Sequence, residues 1–159
     1  MAACDIGSAV QNVKTMLSNL TAWKAICGVS TATEAAARIH EYGIEEDDDT
    51  PTLCPLIILD VEDSGLEWRG GHMSGPLGIT VRLELEIPTA ETETYSKQGI
   101  WFWSKWSAIL DGINSGVQGS GGLMLERITT LVKPGRIEPD SNGGRCEWMA
   151  VLNLELHLQ

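Results

Sequence analysis

The sequence predicts an α+β fold: a mostly antiparallel four-stranded sheet with helices packed mainly on one face. Three observations carry this. Residues 77–87 and 146–158 alternate apolar and polar side chains, the period of a strand with one covered face. Residues 89–117, between them, repeat apolar residues at spacings of three and four, the period of a helix. A second helix-period segment opens the chain. Mixed elements of this kind bury their apolar faces by layering helices against a sheet. At 159 residues, the length suits a single domain, 1–159, with a real core.

The elements follow in order. Asp5 is placed to cap a helix in which Ile6, Val10, Val13, Leu17 and Leu20 form one apolar face. Trp23, Ile26 and Cys27 predict one more turn before Gly28. Residues 33–40 are alanine-rich and predict a short helix with Ala35, Ala36 and Ile39 packing. Leu56–Leu59, after Pro55, is a short, continuous apolar run, as in a strand buried on both faces. Residues 67–76, rich in glycine, predict a long turn or mobile arm. In the strand at 77–87, Ile79, Val81, Leu83, Leu85 and Ile87 alternate with Thr80, Arg82, Glu84 and Glu86, so its second face is expected to be wet and charged.

The long helix is predicted from Thr89, as N-cap, to a glycine-rich end at Gly116. Trp103, Trp106, Leu110, Ile113 and Val117 mark its buried stripe, which Phe102 and Ile109 widen. Trp101 falls about 140° from the centre of that stripe at ~100° per residue. A large aromatic in that position points to a protein interface. Residues 123–132 predict a third strand, Pro134-Gly135 and Asp140–Gly144 a connection, and 146–158 the last strand, running from Trp148 to Leu158.

Composition excludes several classes. A net charge of −11 argues against a protein that grips nucleic acid through phosphate contacts, which need clustered Lys and Arg. The apolar runs are too short to cross a bilayer. The first residues have no basic region followed by an apolar stretch, so no secretory signal is expected and synthesis for the cytoplasm is the default. Cysteines 4, 27, 54 and 146 are scattered, without CxxC spacing or nearby histidines, so neither zinc nor a disulfide framework is expected.

Chemistry-bearing patterns are few. Glu45, Glu46, Asp47, Asp48 and Asp49 form an acidic run without the alternate spacing, central glycine and distal Glu of a calcium loop. It reads as a solvated loop. The glycines at 70, 71 and 75 lack the GxxxxGK[ST] pattern of a phosphate cradle. Glu84 and Glu86, with Glu155 and His157, share strand faces, but no nucleophile accompanies them and a charged wet face explains them. No HExxH, GxSxG or GxGxxG motif occurs. No catalytic residue, metal site or cofactor is predicted.

The layout nevertheless points to a family. An amphipathic first helix is followed by the Ala-rich segment Ala35-Ala36-Ala37-Arg38-Ile39. A Pro-led apolar strand, Pro55–Leu59, a long hairpin and a central helix come next, and the alternating strand Trp148–His157 closes the chain. This resembles the tail terminator (tail-completion, or neck) proteins of long-tailed bacteriophages, over nearly the whole chain. The resemblance implies a non-enzymatic virion protein, made in the host cytoplasm, that forms a homo-oligomeric, six-membered ring at the head-proximal end of the tail tube. Its partners would be the tube protein and a head-closure or connector protein, with DNA passing through unbound and no membrane involved. Interface candidates are then Trp101, Trp68, Arg69, His72, Met73 and the acidic run 45–49; Glu84 and Glu86 are candidates for the lumen. A negative lumen suits a sliding polyanion. A connector, stopper or minor capsid component is the nearest alternative, and a small α+β enzyme or ligand-binding domain is the alternative from another class.

Overall fold

The computed structural model describes residues 6–41, 55–61, 65–69, 72–85, 95–116, 124–136 and 148–158. The elements are α1 (Ile6–Asn19), α2 (Thr21–Cys27), α3 (Ala32–Ala36), β1 (Ile39–Glu41), β2 (Leu56–Val61), β3 (Glu67–Arg69), β4 (His72–Leu85), α4 (Tyr95–Gly116), β5 (Met124–Arg136) and β6 (Trp148–Leu158). The sheet order is β1-β2-β4-β6-β5, with β3 paired to β4. Among the described strands only β1 and β2 run parallel; the other pairings are antiparallel. The α+β class and the four long strands are as expected, and the short β1 and β3 are additions.

Register explains the core. Ile57 stands opposite Leu83 and Leu83 opposite Ala150. Leu59, Val81 and Leu152 form the next row, and Val61, Ile79, Leu154 and Ile128 another. Because strand side chains alternate with period two, these rows share one face. The strand residues of the core cluster come from it: Ile39, Ile57, Leu59, Leu77, Ile79, Val81, Leu83, Leu85, Trp148, Ala150, Leu152, Leu154 and Leu156. Val10, Val13, Leu17, Trp23, Phe102, Trp106, Ile109 and Ile113 of the helices belong to the same cluster. Full burial of each such aliphatic or Phe side chain contributes about 1.5–3 kcal/mol before conformational entropy is counted.

The short helices α2 and α3 are fixed by local chemistry. Gly28 ends α2 in the left-handed conformation, φ 67°, and its N–H returns to the helix carbonyls. A side chain there would be strained, which is why glycine closes the turn. Thr31 and Glu34 form a reciprocal cap on α3: the Glu34 N–H donates to Thr31 Oγ1 and the Thr31 N–H to the Glu34 carboxylate, each at 3.2 Å. The buried Trp23 indole Nε1 donates to the Ala35 carbonyl at 3.1 Å and ties α2 to α3. The expected helix over 33–40 is therefore shorter, and Ile39 and His40 have joined the sheet as β1.

Parts of two connections predicted from glycine and proline are strands instead, while Gly70, Gly71 and residues 140–144 lie outside the described residues. Within 67–76, residues 67–69 and 72–75 form part of the β3–β4 hairpin, with Trp68 opposite Met73. Pro134-Gly135 lies inside β5, where the ladder to β6 shifts register. Strand bulges accommodate such residues at a sheet edge. The expected caps Asp5 and Thr89 lie outside the described residues.

Candidate functional site

The long helix α4 meets the core along Gly99, Phe102, Trp106, Ile109 and Ile113, all buried. This stripe is rotated by about 40°, at ~100° per residue, from the one expected through Trp103, Trp106 and Leu110. Phe102 sets the rotation, since its ring stacks on Trp148 with centroids 5.4 Å apart. Gly99 permits the close approach; a Cβ there would lie 3.5 Å from the Trp148 ring. Trp103 is consequently not a core residue. It is 49% exposed, and Ile100, one turn before it, is 63% exposed. Ser104, Ser107, Ala108 and Asp111 continue the exposed side. Trp101, the expected interface aromatic, is half-buried and packs against the core cluster. Ile100 and Trp103 are the exposed large apolar side chains among the described residues.

The other expected interface residues fall in two places. Trp68 and Arg69 are on β3 and His72 and Met73 on β4, where the register pairs Trp68 with Met73 and Arg69 with His72. Glu45, Glu46, Asp47, Asp48 and Asp49 lie outside the described residues, as does Glu86 of the lumen pair. Glu84 is described, and it does not stand on an open charged face. Its side chain is only 14% exposed, and its Oε1 is 2.7 Å from Arg82 Nε. Leu56, Ile58 and Val151, on the same sheet face by register, are also buried. The expectation of a wet second face is corrected there: β2 brings Leu56 and Ile58 to it, because Leu56–Leu59 is apolar at every position.

Lys14 on α1 and Glu41 on β1 are joined at 2.8 Å, and the Lys14 hydrogen bond holds the Glu41 carboxyl below its usual range. Glu34 is held low by its bonds to Thr31. Burial pushes the Cys27 thiol up to about 11, with Arg38 opposing, so it is no activated nucleophile at neutral pH. Among the described residues, no group of three or more His, Cys, Asp or Glu could hold a metal ion. No helix among them is long and apolar enough to cross a membrane.

The sequence carried a signal for the α3 cap that the periodicity reading missed. Thr31-Ala-Thr-Glu34 has the capping-box spacing. The Lys14–Glu41 pair carried none, because its members are far apart in sequence. The chain matches no protein-family profile, and no curated protein matches it in sequence.

Proposed function

We propose that this chain is a virion structural protein of the tail-terminator kind. It acts without catalysis, as the subunit of a homo-oligomeric ring at the head-proximal end of a phage tail tube. The ring stops tube growth and offers its other side to the head connector. The observation that carries the reading is the exposed Ile100–Trp103 face of α4. Large apolar side chains grouped on a surface mark a partner site, and Trp is enriched where binding energy concentrates. The element order supports the same reading, since a Pro-led strand, a hairpin, a central helix and an alternating last strand occur in the sequence on which the resemblance rests.

The net charge of −11 suits a conduit for DNA. Glu84, paired and mostly enclosed, is a poor source of luminal field, so the carboxylates at 45–49 are the better candidates. Native mass spectrometry and negative-stain microscopy of the purified chain test the ring. Adding purified tail tubes and DNA-filled heads separately then tests its place. Capping of tube ends supports a terminator; binding to heads alone would make it a connector or stopper. A chain that stays monomeric up to high concentration and caps nothing overturns both.

A further inference from the structure

We draw no further inference here: the strongest candidate, the second face of the sheet, where Leu56, Ile58 and Val151 are buried outside the helix-packed core cluster and the Thr80 hydroxyl has no hydrogen-bond partner, carries nothing, because nothing among the described residues shows what covers it.

Discussion

Trp103 and Trp106 are three residues apart on one helix, yet one is half exposed and the other buried. Trp106→Ala should cost about 3–5 kcal/mol, as large-to-small core changes do. Trp103→Ala should cost less than about 1 kcal/mol, in the range of surface substitutions. Urea unfolding of the two variants in the monomeric state measures both. Equal losses would mean that the stripe runs through Trp103 after all. Gly75→Ala places a side chain at φ 126° against the Gly65 carbonyl, and about 1–3 kcal/mol of strain is expected. Exchange of the 72–74 amides should quicken in that variant while the core strands stay protected. Unchanged exchange would show that the β3–β4 hairpin does not depend on Gly75.

Among elements, the join between α1 and the sheet edge is the one with a pH signature. Glu41 has its folded pKa lowered by Lys14. The stabilisation is therefore full above the unfolded Glu value, near ~4.3, and is lost as pH falls through the lower folded value. The carboxylate is 37% exposed, so solvent screening limits the pair to about 0.2–1 kcal/mol. Lys14→Met should be less stable than the unaltered chain at pH 6–7, with the difference closing below about pH 4. A difference that does not shrink at all as pH falls below about 4 would assign the loss to packing. The elements also show what periodicity can carry. The alternation of Ile79, Val81, Leu83 and Leu85 placed a strand correctly, because one covered face imposes period two whatever the neighbours are. The helix register was legible only to within about 40°, at ~100° per residue. Apolar residues on α4 nearly encircle it, and the choice among them fell to the contact of Phe102 with Trp148, which no local pattern encodes. Glycine and proline misled at 72–76 and 134–135, since edge strands and ribbons tolerate both. The covered face near Glu84 was hidden for a similar reason: its cover depends on Leu56 and Ile58, brought alongside by pairing across the sheet.

At the scale of the whole molecule, the proposed role turns on assembly. The interface candidates fall in separate parts of the fold: Trp68 pairs with Met73 in the β3–β4 hairpin, and Ile100 and Trp103 are exposed on α4. Sequence spacing did not show this, because it follows from the strand register and the rotation of α4. Native mass spectrometry of the purified chain across a range of concentration and salt is the most direct measurement. A closed species at six times the 17.2 kDa subunit mass, seen as a ring by negative-stain microscopy, is the expected result. A monomer at every concentration, with no ring on tube ends or heads, would contradict the proposed role.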